Sequence, residues 1–192
     1  MDRRSLKEIC ALNPQAVILP GLGISQLLRQ WKIPNRIIEA GWYQSYPVES
    51  EVKVTYLPAR HWNRRGLTDL NEMLWGSFLL GDGKRKIYFG ADSGLGSHFS
   101  EIRQLYLDIS YAFLGIGACK PEWFMHPSHT SPEDAVTAFR QLGATNWVTM
   151  QHGTFELSDE PLFYPWQEME RLAQEHSLHQ LLRMDIGGKT IL

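Results

Sequence analysis

The sequence predicts an α/β fold in which helices cover sheets built from short strands, and three observations lead to it. Helical and extended patterns alternate along the chain. Residues 74–80 and 86–89 are apolar runs that flank Gly81-Asp82-Gly83, a sequence typical of a β-hairpin turn. Residues 132–142 begin with a proline that follows a serine, which is typical of a capped helix. Periodicity alone leaves open whether the sheets are parallel or mixed.

The remaining elements follow from local patterns. Helix patterns cover residues 4–12 and 24–31, and a proline follows each of them. Residues 52–57 alternate between apolar and polar side chains, which predicts a strand that leads into a loop over residues 58–71. The other predicted elements are strands over 16–19 and 36–39, a helix over 98–107, a strand over 112–116, a strand over 147–151, a helix over 166–175, and strands over 181–184 and 190–192.

Composition limits the class of protein. The chain has 192 residues, of which 43% are hydrophobic and 21% charged, as expected for one soluble globular domain. The net charge of −2 provides no basic surface for nucleic acid. Cys10 and Cys119 have no CxxC spacing, so we expect both to be reduced core residues of a cytoplasmic protein. No apolar stretch has the length of a signal peptide or a transmembrane helix.

Three loops that follow apparent strands carry side chains able to bind a metal. They contain His61, Asp92 and His152, each at the carboxyl end of an apolar run. Two neutral imidazoles and a carboxylate suit Zn²⁺, Fe²⁺ or Mn²⁺. A structural interpretation is also open, because a lone histidine often makes an ordinary hydrogen bond and Asp-Ser-Gly is an ordinary turn sequence. The spacing alone does not decide between them.

Further polar side chains lie beside these loops. His126 and His129 precede the helix predicted over residues 132–142, whose amino terminus favours an anionic group. Arg64 and Arg65 follow His61 and can meet a phosphate or form a solvated turn. Three other histidines fall on predicted helices or near their ends, and we expect them at the surface: His98, His176 and His179.

Four stretches between residues 58 and 162 resemble a known family: PARHWNRRGLTDLNEMLWGSF, IYFGADSGLGSHFSEI, LGIGACKPEWFMHPSHTSPEDAV and MQHGTFELSDEPL. The chain resembles the N-acylphosphatidylethanolamine-hydrolysing phospholipase D family of the metallo-β-lactamase superfamily. Its His-Trp, Gly-x-Asp-Ser-Gly and His-Gly-Thr-Phe elements are specific in this order. The resemblance implies that residues 1–192 are one domain, the carboxy-terminal portion of an αββα sandwich with mixed sheets inside and helices outside.

The resemblance also implies roles for individual residues. His61 would bind a first zinc ion and His152 a second, with Asp92 as the bridging ligand; iron or manganese could replace zinc. Asp92 and His129 would be the catalytic residues, and His129 would lie near the phosphate. Aromatic side chains would line the substrate groove, namely Trp62, Trp123, Phe124 and Phe155. Two ions about 3.5–4 Å apart can deprotonate a shared water, whose hydroxide attacks a phosphodiester or, alternatively, a carbonyl.

One central motif of the superfamily, His-x-His-x-Asp-His, does not occur in this sequence, which has no histidine before His61. Three ligands then remain for two ions. The interpretations are a misplaced start, a split or decayed gene, or a complete chain that recruits its missing strands from a partner.

Two functional hypotheses follow. The first is a metal-dependent hydrolase of a phosphodiester, which acts on a small molecule or a phospholipid and makes peripheral membrane contact if the substrate is a lipid. The second is a non-catalytic binding protein on a degraded hydrolase fold. In either case we expect no nucleic-acid partner, and a homo-oligomer is possible.

Overall fold

The computed structural model describes residues 1–182, 184 and 187–189. Its strands are β1 (Lys53–Leu57), β2 (Ser77–Gly81), β3 (Lys86–Phe89), β4 (Tyr111–Gly115), β5 (Asn146–Met150) and β6 (Leu181–Leu182). Its helices are α1 (Arg3–Leu12), α2 (Ile24–Gln30), α3 (His98–Leu105), α4 (Glu122–Met125), α5 (Pro132–Leu142) and α6 (Tyr164–Glu175).

The six strands form a single mixed sheet in the order β1-β2-β3-β4-β5-β6. The first three strands pair antiparallel, and β3 to β6 pair parallel. Parallel strands end at the same edge of a sheet, so the loops that follow β3, β4 and β5 meet there. The predicted α/β class is therefore confirmed, and the sheet is mixed, with both antiparallel and parallel strand pairs.

The predicted hairpin is present between β2 and β3. Gly81 pairs with Lys86 at the end of the ladder, and Gly83 has a left-handed φ of 83°. The Asp82 carboxylate accepts hydrogen bonds from the backbone N–H groups of Lys84 (2.9 Å) and Arg85 (2.7 Å). Glycine tolerates this backbone conformation without a steric cost, and the aspartate stabilises the turn.

The principal core lies between the sheet and helices α3, α5 and α6. Helix α5 packs against β4, and α3 and α6 lie on either side of it. Trp147 of β5 is fully buried and stacks on Phe139 of α5, with ring centroids 5.2 Å apart. Two smaller clusters lie in the amino-terminal part, one around Leu28 and Trp31 and one around Tyr46 and Tyr56.

The strands predicted over residues 16–19 and 36–39 are reduced to two isolated parallel bridges, Ile18 with Ile37 and Gly21 with Ala40. Hydrogen bonds run from the Ile18 N–H to the Arg36 carbonyl and from the Ala40 N–H to the Pro20 carbonyl. Pro20 lies between the bridges and has no N–H to donate to the opposite segment. The ladder is therefore interrupted at its middle, and the prediction of two regular strands is wrong.

Other predicted boundaries shift by a few residues. The strand predicted over 74–80 spans Ser77–Gly81. At Gly76, just before it, a side chain would lie 2.4 Å from the Leu57 carbonyl oxygen, so only glycine fits there. Helix α3 ends at Leu105 rather than at residue 107. Helix α4 was not predicted from the sequence. The strand predicted over 190–192 lies outside the described residues, as does part of the one predicted over 181–184.

Both cysteines are free and buried, as predicted. Burial raises the pKa of the Cys119 thiol to about 12, so this thiol is protonated at neutral pH. Among the described residues, no helix combines the length and the hydropathy that a bilayer crossing requires.

Candidate active site

A cavity of about 340 Å³ opens at the sheet edge where β3, β4 and β5 end. Asp92, His129 and His152 all contribute to its lining. Its other lining residues are Ala118, Gln151, Thr154, Phe155 and Leu157. Three of the four predicted metal-binding or catalytic residues thus reach one cavity, although up to 60 residues separate them in sequence.

Asp92 follows β3 in a loop with a constrained backbone. The preceding residue, Ala91, has a left-handed φ of 52°, which is rare for a residue with a side chain. The Gly90 N–H donates to the Phe113 carbonyl at 2.8 Å, and this bond continues the pairing of β3 with β4. The turn directs the exposed Asp92 carboxylate into the cavity. Backbone strain of this kind is concentrated at functional sites.

His61 lies after β1 and is fixed by contacts to the Asp92 loop. The Ser93 hydroxyl accepts a hydrogen bond from the Arg60 N–H at 3.0 Å, and the Gly94 N–H donates to the Arg60 carbonyl at 2.8 Å. The His61 ring meets the His129 ring edge to face, with centroids 5.4 Å apart. His61 therefore borders the group of cavity residues through His129.

His129 lies in the segment between α4 and α5. The neighbouring Thr130 hydroxyl donates to the Gly115 carbonyl at 2.7 Å, which anchors this segment to the end of β4. The Nδ1 atom of His129 is buried and has no hydrogen-bond partner. Burial lowers the pKa of His129; Asp92 counteracts this and His61 adds to it. The imidazole is therefore neutral at pH 7, and its Nδ1 atom lies inside the protein without a partner.

His152 follows β5 and completes the set. Its Nε2 lies 3.0 Å from the Thr149 hydroxyl, and its ring stacks on Trp166 of α6 at a centroid distance of 5.6 Å. Burial lowers the pKa of His152 as well. The residue before it, Gln151, has a left-handed φ of 61°. His152 is thus a neutral imidazole held by a hydroxyl and an indole.

The side chains present do not by themselves fit a metal ion. Within residues 1–182, 184 and 187–189, no three His, Cys, Asp or Glu side chains form a group that could hold one. Structural metal sites use about four ligands and catalytic sites at least three. Asp92 and His152 share the cavity, but His61 does not line it. The assignment of these three residues as zinc ligands therefore stays a prediction.

The four aromatic residues predicted to line a substrate groove occupy different places. Phe155 lines the cavity and is 74% exposed. Trp62 stacks beside His61 at 5.9 Å. Trp123 and Phe124 contact each other on α4, and Trp123 is 81% exposed. A substrate role for the four residues stays a prediction.

The two arginines after His61 fold back onto the protein. Arg64 donates to the carbonyls of Gly66 and Leu67, and the Arg65 guanidinium lies over the Trp31 ring at 5.0 Å. Neither is among the residues that line the cavity. These contacts favour the turn interpretation.

The prediction that His98 lies at the surface is wrong. Only 7% of His98 is exposed; its ring contacts Phe99, and its Nε2 lies 3.2 Å from the Ser93 hydroxyl. It is buried because α3 packs its first turn against the Asp92 loop. The surface prediction is confirmed for His176 and His179.

The sequence analysis also missed Glu160, a buried carboxylate near the cavity. It accepts hydrogen bonds from the backbone N–H groups of Cys119 (3.1 Å) and Lys120 (2.9 Å) and from the Ser158 hydroxyl. An available signal was the acidic residue in the Leu-Ser-Asp-Glu-Pro sequence that follows His152, but nothing local indicated burial.

Comparison with known proteins identifies the family. The family model described as "Beta-lactamase superfamily domain" matches residues 2–151. The chain is 30% identical to N-acyl-phosphatidylethanolamine-hydrolyzing phospholipase D 1 of Caenorhabditis elegans over 165 residues. This matched region is 82% of this chain and 46% of the C. elegans protein. It is 35% identical to an uncharacterized protein of Mycobacterium tuberculosis over 183 residues, a region that makes up 92% of this chain and 47% of the M. tuberculosis protein. The chain spans about half the length of these curated relatives.

A solved structure supports the same fold. Igni18, a metallo hydrolase from Ignicoccus hospitalis, superposes with a TM-score of 0.72 at 19% identity, over 96% of this chain and 71% of that chain. At this identity the likeness concerns the fold alone. Together with the match over residues 2–151, it agrees with the mixed α/β fold described above. The chain therefore belongs to the metallo-β-lactamase superfamily and resembles its N-acylphosphatidylethanolamine-hydrolysing phospholipase D members.

Proposed function

We propose that this protein acts in the hydrolysis of a phosphodiester at the cavity lined by Asp92, His129 and His152. The observation that carries the proposal is the His129 Nδ1 atom, which is buried without a hydrogen-bond partner beside this cavity. A buried polar atom without a partner is costly and uncommon in native proteins, and a catalytic role or a bound group is one explanation for it. The C. elegans relative, which is named for a phospholipase D activity, favours a phosphodiester as that ligand.

The chemistry of the lining suits such a substrate. A neutral His129 can accept a proton from an attacking water or hydrogen-bond a phosphoryl oxygen, since burial lowers its pKa. The Asp92 carboxylate faces the same space and can orient a water. Phe155 and Leu157 are exposed apolar side chains on the cavity wall, suited to the hydrocarbon part of a phospholipid.

Metal use is the less supported part of the proposal. We expect His61, Asp92 and His152 to contribute to binding of zinc, iron or manganese only if other groups supply further ligands, because the described side chains form no group of three. Peripheral membrane contact, a homo-oligomer and a cytoplasmic location belong to the same proposal.

The direct test is release of 4-nitrophenol from bis(4-nitrophenyl) phosphate, with added Zn²⁺ or Mn²⁺. We expect measurable turnover by the unmodified protein and a loss of at least about 100-fold in His129→Ala, the size of a general acid–base contribution. The control is His176→Ala, an exposed histidine at the end of α6, which should keep full turnover. Equal turnover in both variants would contradict a role for His129, and no turnover by the folded protein would contradict the function.

A second function, non-catalytic binding at the same cavity, is favoured by the lack of a three-ligand group among the described residues. Metal content separates the two candidates. Close to one or more ions per folded chain, together with a fall in melting temperature in a chelator, would favour the hydrolase. Much less than one ion per chain, with binding of the phosphodiester but no turnover, would favour the binding protein.

A further inference from the structure

Two loops supply most of the lining of the cavity and form two of its walls. Residues 116–121 follow β4 and contribute Ala118, and residues 151–163 follow β5 and contribute most of the other lining side chains. The loops meet at their base, where a side chain at Gly117 would lie 2.1 Å from the Gln151 carbonyl oxygen. Only glycine permits this approach, so the two backbones are in direct contact there.

The loops meet a second time through the Glu160 bridge, which we define as the hydrogen bonds to the Glu160 carboxylate from the N–H groups of Cys119 and Lys120 and from the Ser158 hydroxyl. The Asp159 N–H also donates to the Lys120 carbonyl at 3.1 Å. Every bond between residues 119–120 and 159–160 therefore joins one wall of the cavity to the other.

The Glu160 bridge depends on a carboxylate. Burial alone would raise the pKa of Glu160, but hydrogen bonds from Ser158, Lys120 and Cys119 outweigh it and lower the pKa. The group is 7% exposed and carries its charge at neutral pH. Charge-assisted hydrogen bonds of this kind are about twice as strong as neutral ones. A neutral amide would replace one acceptor oxygen by an NH2 group, which would face the backbone N–H of Cys119 or of Lys120.

We propose that Glu160 is a positioning residue whose carboxylate fixes the separation of the Ala118 wall from the wall formed by residues 154–157, and thereby sets the affinity of the cavity for its ligand. The inference rests on the proposed function only in treating this cavity as the substrate site. Glu160 is absent from the lining of the cavity itself and lines the adjoining pocket, which shares Ala118, Phe155 and Leu157 with it. Its hydrogen bonds reach both loops from that position.

The test compares Glu160→Gln with Glu49→Gln, the same change of residue type at an exposed glutamate outside the cavity. In protein with ¹³C-labelled alanine and leucine methyl groups, Glu160→Gln should shift or broaden the resonances of Ala118 and Leu157. The resonances of Ala112 and Leu114, buried in β4, should stay in place. Glu49→Gln should move none of the four.

The second measurement is the affinity of the cavity for a phosphodiester. If Glu160 only stabilised the fold, a folded Glu160→Gln protein would keep this affinity unchanged. Titration with bis(4-nitrophenyl) phosphate should give a Kd about 10-fold or more higher in Glu160→Gln than in Glu49→Gln, in line with other supporting residues of functional sites. Unchanged Ala118 and Leu157 resonances, or an unchanged Kd, would overturn the proposal. Binding without hydrolysis would refute the proposed catalytic function and leave this inference standing.

If Glu160→Gln does not fold, Ser158→Ala provides the same comparison, because it removes one donor and keeps the carboxylate. We expect smaller shifts at the same two methyl groups and an intermediate Kd. Wild-type values in a folded Ser158→Ala protein would count against the Glu160 bridge.

Discussion

At the scale of single residues, burial separates three histidines of this protein from two others. His98, His129 and His152 have pKa values lowered by burial, whereas His176 and His179 are exposed. A buried imidazole resists protonation, since the charged form loses its hydration. The cavity therefore contains neutral imidazoles at physiological pH, which can accept protons or donate hydrogen bonds.

The same burial makes stability depend on pH. His98 has a pKa lowered to about 4, mainly by burial, compared with about 6.5 in an unfolded chain. Because the unfolded state binds the proton more readily, the contribution of His98 is complete above pH 6.5 and is lost as the pH falls toward 4. We expect this residue to account for about 2 kcal/mol of lost unfolding free energy between pH 7 and 5.

Urea unfolding of His98→Gln at the two pH values measures this contribution. The variant should lose about 2 kcal/mol less than the wild type on acidification, even if it is less stable at pH 7. His176→Gln is the matched control and should keep the wild-type pH dependence, since its ring is exposed. Parallel pH profiles of the wild type and His98→Gln would show the expectation to be wrong.

At the scale of elements, helix α5 connects the core to the site. It begins three residues after His129, and its buried face includes Ala135, Val136 and Phe139. The Ser131 side chain accepts from the Asp134 N–H at 3.1 Å, and the Asp134 carboxylate in turn accepts from the Ser131 N–H. This capping box satisfies backbone donors at the end of the helix that lies nearest the cavity.

We expect Ser131→Ala to lower the free energy of unfolding by about 1 kcal/mol, the usual cost of removing an N-cap side chain. The control is Ser97→Ala at the start of α3, because Ser97 makes no side-chain cap bond. That change should stay within about 0.5 kcal/mol of the wild type. Chemical denaturation measures both values, and an equal effect of the two substitutions would argue against the capping box.

At the scale of the whole molecule, one core joins β1, the central strands and helices α3, α5 and α6. Its buried members extend from Leu57 to Leu172, so most of the chain contributes to it. The cluster around Leu28 and Trp31 in the amino-terminal part is separate and smaller. The cavity lies at the edge of the principal core, on strands that this core holds rigid.

Two tryptophans test this division of the molecule. Trp147 is 0% exposed at the centre of the principal core, whereas Trp123 is 81% exposed on α4. We expect Trp147→Ala to cost about 3–5 kcal/mol in unfolding free energy, the range for deleting a large buried side chain. Trp123→Ala should change it by less than about 0.5 kcal/mol. A loss of stability in Trp123→Ala comparable to that in Trp147→Ala would mean that α4 is buried in solution.

Local patterns in the sequence were sufficient for the elements whose causes lie within a few residues. The hairpin at Gly81-Asp82-Gly83 and helix α5 appear where predicted, since turn and capping interactions join residues two to four positions apart. Pro20 illustrates the limit, because its missing N–H matters only once residues 36–40 lie opposite. The predicted cavity residues Asp92, His129 and His152 were found from the positions of loops after strands and from family resemblance.

The sequence by itself thus determined the α/β class, the short-range elements and the identity of the residues at the ends of strands. Only the tertiary structure decided which of them share a cavity, that His98 is buried, and that Glu160 joins two loops. Hydrogen bonds such as those from Cys119 and Lys120 to Glu160 span about 40 residues of sequence. Burial and long-range pairing depend on how all the elements pack together, and no short segment contains that information.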